Sequence, residues 1–259
     1  IGTGFIAAKP EANVAVVYTA FHVVDDLCQT PKSEVQGRAT ADSVEFPCKG
    51  FFALHDLAID TQTKKAIPDG AHAWKSTISS LLFFDKKLDI AAFEIKLPEG
   101  NQLEPIQLEL SYQLLNPKLA VQAGETEKSL GLEYFTLHLV GYPAGYKGDE
   151  RILLKDQQII RRRHILGRFL KTRTFESDAK FGFISGFRHT IPGLPGMSGS
   201  PLVLENGRAV AVSTRVLLNR YYANTGCGTQ LVTEKENYAI PSLYFEGIIS
   251  QPGDNHEQN

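Results

Sequence analysis

Pro195-Gly196-Met197-Ser198-Gly199-Ser200-Pro201-Leu202-Val203 is a turn bounded by glycine and proline that delivers one serine and then enters an apolar strand. A serine hydroxyl is a poor nucleophile until a base takes its proton and backbone amides receive the charge that forms on the carbonyl oxygen. The flanking glycines suit that second need. Gly196, with no Cβ, can turn its N–H towards the point that the N–H of Ser198 faces, and Pro201 ends the turn where a strand begins. A turn of this composition also occurs as an ordinary tight surface loop, so its meaning depends on what surrounds it.

Outward from the turn, residues 208–216 alternate with period two: Val210, Val212, Thr214 and Val216 fall on one face, and Ala211, Ser213 and Arg215 on the other. One face packs and the other can meet a ligand. Similar short runs recur at 13–20, 81–84, 90–95, 135–140, 159–167 and 201–204, separated by turn residues. The pattern is all-β. Few segments read as helices, the best being 241–249, a short C-terminal one with Leu243, Tyr244, Ile248 and Ile249 able to share a face, followed by a polar tail at 251–259 that is expected to fray. Residues 116–132 mix polar, Gly and Pro residues between two strand-rich halves. The expected division is 1–120 and 121–250, each the size of a small closed barrel.

The bulk properties of the 259 residues are those of an ordinary globular chain, 42% hydrophobic and 22% charged. A net charge of -2 gives no attraction to nucleic acid or to an anionic membrane surface. No apolar run approaches the length that crosses a bilayer. The opening Ile1-Gly2-Thr3-Gly4-Phe5-Ile6 already reads as strand interior, so the gene product is expected to begin further upstream. Cys28, Cys48 and Cys227 match no metal-ligand spacing. Cys28 and Cys48 lie in one segment and either staple the loop after His22, which would suggest an oxidising compartment, or remain thiols with Cys227. The one basic cluster, Arg161-Arg162-Arg163-His164, lacks an aromatic stacking platform and reads as a solvated strand and turn.

Two further segments hold chemistry. In Tyr18-Thr19-Ala20-Phe21-His22-Val23-Val24 a histidine ends an apolar strand, which fixes the imidazole and leaves its edge open; its side-chain type suits a general base. In Leu88-Asp89-Ile90-Ala91-Ala92-Phe93 an aspartate directly precedes an apolar strand, where burial is costly unless a donor such as His Nδ1–H stabilises it. His55-Asp56-Leu57-Ala58-Ile59 has a similar local shape. Asp56 follows His22 by 34 residues and Asp89 by 67; spacing favours the first and flanking sequence the second.

The order His, Asp, Ser with Thr-Ala-x-His, Asp-Ile-Ala and Gly-x-Ser-Gly-x-Pro resembles bacterial trypsin-like peptidases, particularly the HtrA protease domain and the glutamyl endopeptidases. The likeness includes Gly2-Thr3-Gly4-Phe5-Ile6, Leu103-Glu104-Pro105-Ile106-Gln107-Leu108, Val140-Gly141-Tyr142-Pro143 and Asn237-Tyr238-Ala239-Ile240-Pro241. It implies two packed six-stranded antiparallel β-barrels of chymotrypsin-like type with the short C-terminal helix. It also implies a serine endopeptidase with Ser198 as nucleophile, His22 as general base and an oxyanion hole at Gly196 and Ser198. In that family the triad aspartate is followed by a Pro-[Ile/Leu]-x-Leu segment, a sequel that Asp89 has and Asp56 lacks. The α/β-hydrolase alternative wants Gly-x-Ser-x-Gly and the order Ser, acid, His, and position 200 is Ser.

By the same resemblance the primary substrate pocket is walled by Thr190, Pro192 and Gly193 and by Ser213, Thr214 and Arg215, with no acid to select Arg or Lys. Arg215 and His189 could meet an acidic side chain but read as solvated surface residues, so an uncharged substrate residue is expected. Met197 stands where animal digestive enzymes carry an acid that pairs with a newly cut N-terminus, so activation through Ile1 is not expected. No cofactor and no metal is implied, and the expected partner is a protein or peptide substrate, with neither nucleic acid nor membrane. Secretion or a periplasmic location is expected. From another functional class, the alternative is a catalytically silent protease-like fold that binds a partner peptide or protein.

Overall fold

The structure, a computed structural model, describes residues 2–39, 46–53, 57–60, 66–68, 74–109, 136–143, 153–154, 157–160, 162–176, 183–225 and 228–245. The first lobe contains β1 (Gly4–Glu11), β2 (Val14–Thr19), a one-turn helix α1 (Phe21–Val24), β3 (Gln36–Arg38) and β4 (Phe46–Ala53). After the short strands β5 (Leu57–Asp60) and β6 (Ala66–Pro68) it is completed by β7 (Lys75–Asp85) and β8 (Ile90–Lys96). Its sheet runs β1-β2-β8-β7-β3, with β4 also paired to β7. Among the described residues β1 pairs with β2 alone and β4 with β7 alone, so the lobe is a half-barrel with a seam between those two edges.

The second lobe is a closed barrel. Its strands are β9 (Thr136–Gly141), β12 (Arg163–Glu176), β13 (Phe183–His189), β14 (Pro201–Val203), β15 (Ala209–Thr225) and β16 (Gly228–Pro241), in the order β12-β13-β16-β15-β14-β9. Between β9 and β12 lie β10 (Leu153–Leu154) and β11 (Gln157–Ile160), which form a small sheet with β5 and β6. The architecture is chymotrypsin-like, as the sequence implied. The expected helix is a 3-10 turn over Ser242–Phe245, and both the proposed seam at 116–132 and the tail lie outside the described residues.

The strand patterns translate into three apolar clusters. Val17, Phe21, Phe84 and Phe93 fill the first lobe, and Leu139, Ile191, Leu202 and Ala211 fill the second. The third cluster joins the lobes: Phe5, Tyr18 and Ile90 pack against Val212, Tyr238, Ile240 and Phe245. The rings of Tyr18 and Phe245 lie 5.0 Å apart. This interface explains why β15 departs from the expected alternation. Val210 packs within the second lobe and Val212 against the first, and Ala211 is buried as well, so neither face is free until the register shift after Ser213. The segment after β8 laces the lobes further, the Ile106 N–H donating to the Ile6 carbonyl and the Ala209 N–H to that of Gln107.

Candidate active site

Asp89 closes the hairpin between β7 and β8. The loop at 86–89 begins with the Leu88 N–H bonded to Asp85 Oδ1 at 2.8 Å, and Asp85 pairs across the hairpin with Ile90. The last loop residue takes φ 59°, a left-handed conformation for which aspartate is better suited than β-branched residues. That turn aims the carboxylate at α1. Oδ1 accepts the His22 backbone N–H at 3.0 Å, Oδ2 lies 2.8 Å from His22 Nδ1, and the Asp89 carbonyl accepts the Phe21 N–H at 3.0 Å. The carboxylate is almost wholly buried while half of the imidazole remains exposed. A buried carboxylate needs hydrogen-bond donors, and here those donors also fix the ring. His22 sits on a helical turn just past the strand rather than on the strand itself. Asp56 lies outside the described residues.

Ser198 reaches the same place through a relay that the sequence reading missed. The Thr3 N–H donates to the Ser198 carbonyl at 2.9 Å and the Thr3 hydroxyl to the Gly196 carbonyl at 2.8 Å. Thr19, at the end of β2, donates its own hydroxyl to the Thr3 carbonyl at 2.6 Å. The turn bearing Ser198 is thus stitched to the strand that leads into His22. The only sequence signal was a threonine between two glycines in the first residues. Gly196 has φ 86°, and among the described residues neither its N–H nor that of Ser198 donates to another backbone carbonyl. The Ser198 hydroxyl makes no hydrogen bond to the His22 ring in this conformation, a contact that commonly tightens only with substrate. Met197 is buried in the second-lobe core against Gly141, so packing anchors the loop.

Gly199 is the tightest point of this junction. It has φ 87°, and a Cβ there would lie 2.0 Å from the Thr3 carbonyl oxygen and 2.9 Å from the Ala20 nitrogen, both backbone atoms that cannot step aside alone. Gly199→Ala is therefore expected to destabilise the fold by at least about 4 kcal/mol, lowering Tm by roughly 10 °C or more in a thermal melt.

The two segments expected to wall the primary pocket lie close together. The Gly193 N–H donates to Asn237 Oδ1 at 2.7 Å, and a Cβ on Gly193 would fall 1.9 Å from Val216 Cγ2, so the two walls touch. Thr190 and Pro192 are exposed, Ser213 is half-buried and Thr214 is buried. Arg215 is not the solvated cation expected from sequence: its Nε lies 3.6 Å from Asp89 Oδ2. On that side β14 begins at Pro201 opposite Val212, and the turn before it still holds Ser213, whose carbonyl accepts the Gly199 N–H at 2.7 Å and whose N–H donates to the Ser200 carbonyl at 2.9 Å; beyond Ser213 the edge of β15 has no strand neighbour among the described residues.

His189 also departs from the expected surface position. It is 2% exposed, and burial lowers its pKa to about 4, opposed by a hydrogen bond with the Ile191 backbone. Its ordinary value is about 6.5. Between those values the unfolded chain binds a proton that the folded chain refuses, so stability is fully present above about pH 6.5 and is lost as the pH falls towards 4. The loss is about 1.4 kcal/mol per unit and about 3 kcal/mol in all. Urea unfolding across this window should show that slope, and His189→Gln should flatten it.

Cys28 and Cys48 form a disulfide, joined across an antiparallel bridge; Cys227 lies outside the described residues. Among the described residues no group of three or more His, Cys, Asp or Glu is placed to hold a metal ion.

No curated protein sequence matches the chain. Similar solved structures include Rv3671c from M. tuberculosis H37Rv in an inactive form, at 13% identity and TM-score 0.45, covering 100% of this chain and 84% of that one. Deg5 is similar at 17% identity and TM-score 0.45, covering 93% of this chain and 77% of that one. The HtrA-type protease AlgW with a decapeptide is similar at 14% and TM-score 0.44, covering 95% and 52%. The trypsin-like peptidase domain family matches residues 2–212, a span that takes in the hairpin bearing Asp89, the helical turn bearing His22 and the glycine-rich turn bearing Ser198. With most of the chain and all three of these segments inside that match, the chain belongs to the trypsin-like peptidase domain family.

Proposed function

We propose that the chain is a serine endopeptidase in which His22 takes the Ser198 proton, Ser198 Oγ attacks the scissile carbonyl, and Asp89 orients the imidazole. The observation that carries this reading is the double grip of one buried carboxylate on the backbone N–H and the ring Nδ1 of His22. A carboxylate so placed favours the tautomer with the proton on Nδ1 and leaves Nε2 as an acceptor for a hydroxyl. The uncommitted N–H groups of Gly196 and Ser198 are suited to receive the oxyanion. The C–N bond then breaks and the amine leaves with the proton from His22; water next gives a proton to His22 as it attacks the Ser198 ester, and His22 passes that proton to Ser198 Oγ as the acid departs. No step calls for a cofactor.

The open edge of β15 after Ser213 suits an extended peptide added as a strand, which gives affinity with little regard to side-chain identity. The disulfide supports an exported protein, secreted or periplasmic. Incubation with unfolded β-casein tests the activity: new N-termini are expected from the wild-type protein. Binding of casein peptides by folded protein without any cleavage would instead favour the silent binding fold.

A further inference from the structure

We propose that the cavity beside His22 is the subsite for the residue that departs with the amine, and that it selects a large apolar or aromatic side chain; this rests on the peptidase reading above. The cavity holds about 460 Å³, within the usual range for ligand sites. It fills the seam of the half-barrel between the start of β1 and β4. His22 and Thr3 stand at the catalytic end, and Leu27, Phe51, Phe52 and Ile78 line it. Glycines keep it empty: a Cβ on Gly50 would lie 2.9 Å from Leu27 Cδ1, and one on Gly4 would lie 3.2 Å from Phe52 Cε2.

Its orientation follows from the chemistry. The acyl half of the substrate is assigned to the β15 edge beyond Ser213, at Thr214 and Arg215, and neither residue lines the cavity. His22 does line it, and His22 delivers the proton to the leaving amine. The first residue after the broken bond therefore exits on the cavity side of the imidazole. Lys49 and Asp26, both exposed, add charges of opposite sign and favour neither anion nor cation. Leu27 and Phe51 are 36% and 37% exposed, apolar surface that an incoming side chain would cover.

The wall is braced rather than loose. The Lys49 N–H donates to the Leu27 carbonyl at 2.7 Å, the Gln29 N–H to that of Pro47 at 2.9 Å, and the Cys28–Cys48 disulfide lies between these bonds. Selection on this side also fits the opposite pocket, whose walls touch at Gly193 and Val216. A cavity built in advance discriminates by the apolar surface it removes from water and by refusing charge.

The test is a library of internally quenched peptides with the residue after the scissile bond varied, read as kcat/KM. Phe, Tyr and Leu are expected to exceed Asp and Ser by about 10- to 100-fold. Phe51→Ser and Leu27→Ser change exposed wall residues, and with circular dichroism confirming folded protein each is expected to reduce that ratio at least about 3-fold. Cleavage with no preference at this position, or a preference unmoved in both folded variants, overturns the cavity assignment alone. No cleavage of any peptide overturns the peptidase reading and the subsite with it.

Discussion

Removing the hydroxyl in Ser198→Ala is expected to lower kcat/KM by about 10⁶-fold, leaving only what the oxyanion donors and substrate binding supply. The fold should survive the change. Ser198 contributes its carbonyl to the Thr3 N–H, a backbone contact that alanine retains, and its side chain is not among the groups that join the lobes. Unchanged melting and lost turnover would separate chemistry from architecture. If turnover persisted in the folded variant, some other group would have to be the nucleophile.

Asp89→Asn is expected to cost about 10⁴-fold in kcat. Asparagine tolerates the left-handed conformation at φ 59°, so the hairpin should form. The trouble is local. With the amide nitrogen at the Oδ1 position, it faces the His22 backbone N–H, donor against donor. With the nitrogen at the Oδ2 position, it faces Nδ1 and the Arg215 guanidinium. The ring must then accept at Nδ1 and carry its proton on Nε2, where an acceptor is needed for the serine hydroxyl. Asp56→Asn is expected to keep activity, and the reverse pattern would overturn the choice between the two aspartates. Single-turnover kinetics on the best library peptide would read both.

Much of this candidate site could be read from the chain because each proposed reacting group is announced by its neighbours. Glycines around Ser198, an apolar strand before His22 and an apolar strand after Asp89 are local features of a few residues. What could not be read depends on contacts between distant segments. Thr3 looks ordinary until Gly196 and Ser198, some two hundred residues away, fold back onto it. Arg215 lies on the face of β15 expected to meet a ligand, yet the lobe interface brings Asp89 within reach of it. His189 carries a polar side chain, which favours a surface reading, but the barrel closes over it. Adjacent Phe51 and Phe52 point to opposite faces of a strand in any periodic reading, so nothing local says that both border one cavity at an unclosed seam. The half-barrel itself follows from strand edges that do not meet, which alternation within a strand cannot report.

The most direct measurement is the position of a fluorophosphonate adduct. After labelling, digestion with trypsin and mass spectrometry, a single phosphonylated serine is expected at Ser198, in the peptide from His189 to Arg208, with no adduct in folded Ser198→Ala. Folded wild-type protein that takes no label, or takes it on another residue, would contradict the assignment of Ser198 as the nucleophile.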